Sequence, residues 1–427
     1  MPSKSNFGES MRSKRILVLG GGRYNVPSIA AARQAGFETL VADKNPEAPG
    51  LKAADHALAI DLNDCDSLIQ AVNERGGIDG VVSMAEVGVR AAANISARLG
   101  LPSISEQAAA DATSKAAMRR NWQRIDAYST KFEVAATVEE ARLAADRLAR
   151  FPLIFKPDRS FGGSRGVTRV ETSGDVDSAF RAAQAGGLAS SDVVIEHCVD
   201  GSEHSAEVLR WNGKTSVLCI GQKIKSLLPY RVDVSVRYPA QLTAAQEAAV
   251  ADMCDRAMSA LGLIQGVAHV EFAYTEQGPV LFELGARCGG GHTPQIAHHV
   301  SGVNEFVEAC RMACGMPPNQ FEPTRRRGAD YRFLVFAPGV IESVEIPEAL
   351  VNKGSVLDVG VTVQPGDQIR PLRSTADRTG FLVAAGETLQ EAVALADRGC
   401  REITIRYADG STHHAAESIE FRELAHS

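Results

Sequence analysis

Features that settle a function at first sight are scarce in this chain of 427 residues. Its 8 cysteines form no C-x-x-C pair, which argues against a disulfide framework or a structural zinc site and leaves reduced, mostly buried thiols as the expectation. No apolar run approaches the ~20 residues that cross a bilayer. Met1 to Lys14 is polar and lacks the apolar core of a signal peptide, so a disordered tail over 1–14, a cytoplasmic location and no membrane partner are expected. Basic character is missing as well. The formal net charge is -7 and the longest basic run is Arg325 to Arg327, too little positive footprint for nucleic acid to be a partner. What is present is ordinary for a globular protein: 44% hydrophobic and 23% charged residues, with length for roughly two to four domains.

The N-terminal third alternates short apolar runs with helical patterns. Arg15 to Leu19 reads as a strand ending in Gly20, Gly21 and Gly22, Pro27 to Gly36 as a helix, and Glu38 to Ala42 as a second strand closed by Asp43. The glycines could approach a ligand, and Asp43 lies ~20 residues on, where dinucleotide folds place a ribose acid. GGGRYN is not G-x-G-x-x-G, so a tight strand-to-helix turn explains the cluster equally well. The alternation continues with Ala57 to Ile60, Cys65 to Glu74, Gly80 to Ser83 and Val87 to Leu99, a doubly wound α/β unit. Glu86 falls just past a strand's C-terminal end, where open α/β sheets bind ligands, and is a candidate substrate contact.

A second unit begins after DATSKAAMRRNWQR. Thr137 with Glu140 reads as a capping box. Phe151 to Pro157, FPLIFKP, is an apolar strand with Lys156 inside it, and a lysine there must be paired or face a site. Ser160 to Gly166 follows as a small, flexible loop able to fold over phosphates, although its spacing is not that of a Walker loop. Three acids, Glu196, Glu203 and Glu207, fall within EHCVDGSEHSAEV, and Thr243 to Leu261 is a capped helix.

The most informative stretch is HVEFAYTEQGPVLFELGARCGGG, from His269 to Gly291. Period two puts Val270, Phe272 and Tyr274 on one face and His269, Glu271 and Ala273 on the other, and separates Val280, Phe282 and Leu284 from Leu281, Glu283 and Gly285. Thr275 to Pro279 supplies a turn that would bring Glu271 and Glu283 together. Two carboxylates that close repel unless a cation sits between them. The bland alternative is two solvated glutamates on an ordinary hairpin.

In their order along the chain, TSKAAMR, FPLIFKPDRSFGGSRGV, VVIEHCVDGSEHSAEV and HVEFAYTEQGPVLFELGAR resemble the ATP-grasp superfamily of carboxylate-amine ligases, and in pattern its L-amino-acid ligase, dipeptide-forming branch. That resemblance implies an α/β ATP-grasp fold. An N-terminal doubly wound domain over 15–112 would precede an ATP-grasp domain over 113–325, with a lid subdomain at about 130–197 and a mixed α+β centre. A C-terminal α+β domain would occupy 326–427, where APGVIESVEIP and STADRTGFLVAAGETLQEAV carry the likeness.

The same resemblance implies roles. Lys115 and Lys156 would contact ATP phosphates while Gly162, Gly163, Ser164 and Gly166 close over them. Glu196 and the backbone of His197 to Val199 would meet the adenine, and Glu203 the ribose. Glu271 and Glu283 would hold Mg2+, with Mn2+ as a substitute, and Lys223 or Arg287 would steady the transferred phosphate. An asparagine usual two residues after the second glutamate is replaced by Gly285, which leaves the number of metal ions open. Arg287 with Gly289, Gly290 and Gly291 would receive an amino-acid carboxylate. The implied reaction joins a small-molecule carboxylate and an amine through an acyl phosphate, releasing ADP and phosphate, in a protein whose default assembly is a homodimer. A biotin-carboxylase-like or purine-pathway enzyme, a nicotinamide-dependent oxidoreductase and a non-catalytic nucleotide sensor are the competing readings.

Overall fold

The computed structural model describes residues 13–125, 128–160, 163–188, 192–226, 231–352 and 354–416. Its first sheet contains β1 (Arg15–Leu19), β2 (Glu38–Ala42), β3 (His56–Leu58) and β4 (Gly80–Ser83), all parallel in the order β3-β2-β1-β4. The central strand is buried throughout because its two faces feed two cores. Ile16 and Val18 pack with Phe306 and Cys310, whereas Leu17 and Leu19 pack with Leu68 and Ile95. A strand with helices on both sides reads as a continuous apolar run for this reason. The helix expected from Val87 begins instead at Val89, after a tight turn over Glu86–Gly88.

A second, smaller sheet is antiparallel: β5 (Phe132–Ala135), β6 (Leu153–Pro157), β7 (Thr168–Val170) and β8 (Val193–His197), in the order β5-β8-β6-β7. Helices Val138–Leu148 and Val176–Gly186 join it in a core of their own around Phe155, Phe180 and Ile195. Thr137 accepts from the Glu140 amide as expected of a cap, while the Glu140 carboxylate reaches Ala136, one residue earlier than a capping box requires.

The largest sheet has eight strands. β9 (Ser202–Trp211), β10 (Lys214–Lys225), β11 (Asp233–Tyr238), β12 (Gly266–Thr275), β13 (Gly278–Gly285), β14 (Gly328–Leu334), β16 (Val356–Val361) and β18 (Gly380–Gly386) run in the order β13-β12-β9-β10-β11-β14-β18-β16. Helices Lys115–Arg124 and Ala244–Ala260 cover its first strands, burying Trp122, Met253, Phe272 and Leu284 together. Strands β15 (Gly339–Glu345), β17 (Gln368–Ile369), β19 (Thr404–Tyr407) and β20 (Thr412–His414) form a last small sheet. Among the described residues, no helix is long and apolar enough to cross a membrane.

The hairpin departs from its expected alternation. Its strands continue to Thr275 and Gly278, so Glu276 and Gln277 make the turn, and Pro279 lies within β13. The β12–β13 register shifts between Glu271 and Phe272. That bulge resets the period, so Leu281 enters the core with Leu284 instead of sharing Glu283's face.

Candidate active site

Glu271 and Glu283 are direct cross-strand partners, and each carboxylate is met by a lysine from another element. Lys223 of β10 reaches across β9 to place Nζ 2.7 Å from Glu271 Oε2. Lys115, the first residue of helix Lys115–Arg124, places Nζ 2.9 Å from Glu283 Oε1. Burial pushes both carboxyls upward, but Lys223 and His269 hold Glu271 well below the usual range and Lys115 holds Glu283 below it. Burial likewise opposes the charge on Lys115, and Glu283 outweighs it to raise that pKa. The site therefore keeps two anions side by side by surrounding them with cations.

Helix Lys115–Arg124 is placed by Asp158, which follows β6. Asp158 Oδ1 accepts from Ser114 Oγ at 2.8 Å and from the Ala116 amide at 2.7 Å, and its carbonyl accepts from the Lys115 amide at 3.1 Å. One turn on, Arg119 is fully buried and donates Nε to Glu196 Oε2 at 2.9 Å. Lys156 of β6 stands on the other oxygen of the same carboxylate, 2.5 Å away. Desolvation first, and Arg119 second, lower the Lys156 pKa to about 8. Glu196 is 3% exposed, its side chain is committed to two cations, and its backbone lies between Phe132 of β5 and Ile154 of β6 in the sheet, so it is already engaged. Glu203 is also engaged, by Lys225 Nζ at 2.6 Å, and His197 Nε2 lies 3.1 Å from the Leu148 carbonyl. Val199 follows β8 and is half-buried.

Beyond β13 the chain turns back on the first unit. Arg287 Nε donates to Glu86 Oε2 at 2.8 Å, and its Nη1 donates to the Cys288 carbonyl at 2.8 Å. Burial raises the Glu86 pKa against the pull of Arg287. A Cβ at Gly285 would lie 3.2 Å from Glu86 Oε2 and 3.3 Å from Arg287 Cζ, so this ion pair fills the space a longer side chain would take. Glu86 also lines a cavity of about 810 Å³ with Gly20, Asn25, Arg90, Arg159 and Ser160.

The glycines that follow are not equivalent. The Gly289 amide donates to Glu207 Oε2 at 3.2 Å, so it is already engaged. Gly290 has nothing within 4 Å of an added Cβ, and Gly291 has φ +64° beside Tyr331. In the lid loop, Gly162 lies outside the described residues. Gly163 O accepts from Thr375 Oγ1 at 3.0 Å, Ser164 has φ 55°, and Gly166 packs against Ala182 and Ala183. At the other glycine cluster, Asp43 Oδ2 accepts from the Gly21 amide at 2.9 Å, and a Cβ on Gly50 would be 2.6 Å from Gly21 Cα. Asp43 thus secures a tight turn, which removes the observation that favoured a nicotinamide cofactor.

Sequence reasoning gave no site role to Arg119, Asp158, Glu207 or His269. Arg119 carried a signal: it follows Lys115 by four residues on a face that also bears Met118 and Trp122, all buried. Glu207 carried another, as an acid inside an apolar strand. Among the described residues, no group of three or more His, Cys, Asp or Glu side chains could hold a metal ion alone. The Glu271–Glu283 pair nonetheless fits Mg2+, which commonly binds through one or two carboxylates and completes its octahedron with substrate phosphates and water.

A small antiparallel sheet and a large eight-stranded one, a carboxylate pair on a hairpin and lysines converging on it define an ATP-grasp ligase, an enzyme class that forms C–N bonds. The chain belongs to the ATP-grasp superfamily. An ATP-grasp N-terminal domain matches residues 29–103, an ATP-grasp domain residues 149–295, and an L-amino acid ligase C-terminal domain 2 residues 332–408. A formate-dependent phosphoribosylglycinamide formyltransferase from a Synechococcus species is 26% identical over 410 residues, covering 91% of this chain and 97% of that protein. The y4rH protein of Sinorhizobium fredii is 24% identical, covering 96% and 86% respectively. In fold, the L-amino acid ligase of Bacillus licheniformis superposes with a TM-score of 0.78 at 23% identity, covering 93% of this chain and 100% of that one. The family uses ATP with Mg2+.

Proposed function

We propose that the protein joins an amino acid, as carboxylate donor, to an amine, forming an amide or peptide bond through an acyl phosphate and releasing ADP and phosphate. The observation that carries this reading is the opposed Glu271–Glu283 pair, clasped by Lys223 and Lys115, with Arg287 just beyond the end of β13. A carboxylate oxygen is a poor leaving group, and phosphorylation makes it a good one. The transferring phosphoryl group spreads charge over its oxygens, so fixed cations supply most of the catalysis.

In this assignment Lys115 and Lys156 hold the phosphate chain, and the loop from Gly162 to Gly166 closes over it to exclude water from the acyl phosphate. Glu271 and Glu283 would hold the metal, which when bound would screen the negative charge of the phosphates; their oxygen donors suit Mg2+ and also admit Mn2+. With nucleotide bound, Lys115 and Lys223 would exchange their carboxylate partners for phosphate oxygens. The backbone of His197 to Val199, just beyond Glu196, meets the adenine, and Glu203, released from Lys225, takes the ribose hydroxyls. Arg287 and Lys223 steady the acyl phosphate. The substrate carboxylate lies against Gly290 and Gly291, with Glu86 toward the cavity. The match of an L-amino acid ligase C-terminal domain to residues 332–408 supports the amino-acid assignment.

Phosphate release across pairs of amino acids, with mass spectrometry of the product, tests the proposal. A condensed product whose formation requires Mg-ATP is expected. Release with formate in place of an amino acid would favour the reading suggested by the formyltransferase relative. ATP binding without phosphate release for any pair would reduce the protein to a nucleotide sensor.

A further inference from the structure

Glu207 is fully buried in β9, and the roles above leave it unused. Its two oxygens are divided between two structures. Oε1 is 2.6 Å from His269 Nδ1, and Oε2 accepts from the Gly289 amide at 3.2 Å. His269 stands opposite Glu207 in the β9–β12 register. Its other ring nitrogen, Nε2, is 3.4 Å from Glu271 Oε1. A continuous polar path therefore runs from the glycine loop through one carboxylate and one imidazole to the carboxylate proposed for the metal.

The loop is seated tightly on this path. A Cβ at Gly289 would come within 2.5 Å of Thr293 Cγ2 and 2.9 Å of His269 Nδ1. Thr293 Oγ1 in turn donates to the Gly290 carbonyl at 2.7 Å. Glu207 thus fixes where Gly289 lies, and through it how Gly290 and Gly291 face the site. Lys223 alone is a poor guide for Glu271, because a point charge on a four-carbon stem constrains direction weakly. The His269 ring supplies the second, directional contact, and Glu207 sets the ring's orientation. Partners of this kind orient ligands from behind.

We propose that Glu207 is a positioning residue that couples the hairpin carboxylate to the loop beyond the hairpin, orienting Glu271 through His269 while pinning the Gly289–Gly291 loop. The inference rests on the reading of Glu271 as a metal carboxylate and of the glycine loop as a substrate seat. It goes beyond that reading by making the two interdependent.

Two variants separate the arms. In Glu207→Gln the side chain keeps one acceptor and cannot serve both donors. In His269→Gln, Glu207 still accepts from Gly289. The readouts are amide hydrogen exchange of the 286–293 segment and the gain in ATP affinity caused by Mg2+, measured calorimetrically on the full chain. E207Q is expected to speed exchange of the segment at least about tenfold and to reduce the Mg2+ gain by about 10- to 100-fold, the range for lost orienting partners. H269Q is expected to reduce the Mg2+ gain similarly while leaving loop exchange near wild type. A folded E207Q protein with unchanged exchange or an unchanged Mg2+ gain would overturn the proposal. If E207Q does not fold, an unaltered Mg2+ gain in H269Q would do the same. Wild-type protein that shows no ATP binding would instead defeat the functional reading, and the exchange measurement would still decide whether Glu207 pins the loop.

Discussion

Raising the pH probes the phosphate end of the site through a single group. Lys156 is buried, and desolvation followed by the repulsion of Arg119 brings its pKa from the ordinary 10.5 to about 8, despite Glu196 Oε1 at 2.5 Å. The difference corresponds to about 3 kcal/mol between the two protonation states. If ATP requires the ammonium form, the competent fraction falls about tenfold per pH unit above 8, and the apparent Kd for ATP rises as its inverse. Stability has the opposite sign. Between pH 8 and 10.5 the unfolded chain binds a proton that the folded chain has released, so this lysine makes the fold more stable as pH rises. Calorimetric titration of ATP into the protein from about pH 7 to about pH 10, with thermal melts alongside, reads both effects. Lys156→Arg keeps its charge throughout and should abolish the loss of affinity at high pH. An ATP affinity that is flat across this range, or that falls equally in K156R, would refute the reasoning.

Other substitutions test other parts. Glu283→Gln leaves Lys115 with a neutral partner; on the proposed reading, Mg-dependent phosphate release should fall by about 100-fold or more, with about 1–3 kcal/mol lost from stability in denaturant melts. Gly289→Ala drives a methyl group to 2.5 Å from Thr293 Cγ2 and should cost about 1–3 kcal/mol. Gly290→Ala, with open space around it, should leave the melting temperature unchanged. Burial, with Glu207 adding to it, holds the Glu305 pKa well above the carboxylate range. Wild-type stability should therefore decline as pH rises from the unfolded value toward the folded one, and Glu305→Gln should remove that decline in melts taken at successive pH values.

What the sequence made legible was local. The strands Arg15–Leu19, Glu38–Ala42 and Gly80–Ser83, and the helix Cys65–Glu74, match their expected limits because periodicity and turn chemistry mark them within a few residues. The approach of Glu271 to Glu283 was legible because a hairpin pairs neighbours along the chain. The bulge beside Glu271 was not, since nothing local distinguishes Leu281 from Phe282 as the core residue. The partners of the charged groups were hidden for a different reason. Arg119 and Glu196 are 77 residues apart, Lys115 and Glu283 168, and Arg287 and Glu86 201. Such pairings depend on topology, which a period of two or 3.6 does not encode. The engagement of Asp43 with Gly21 was equally invisible, because a glycine cluster followed by an acid has the same spacing whether it holds a ligand or its own turn.

The eight-stranded sheet has a consequence for building hybrids of this enzyme. Strand β14 pairs with β11 through Ala329 to Arg332 against Tyr238 to Ser235, and β18 pairs with β14 along its whole length. The boundary proposed near residue 325 therefore separates segments of chain that share one hydrogen-bonded lattice. Transplanting the final hundred residues from a relative would graft three of the eight strands onto a foreign edge, and a mismatch of one residue there would turn every side chain of the joined strand to the opposite face. The segment proposed as the lid carries its strands in a sheet of its own, as does the N-terminal unit, so either can be exchanged without recutting a ladder.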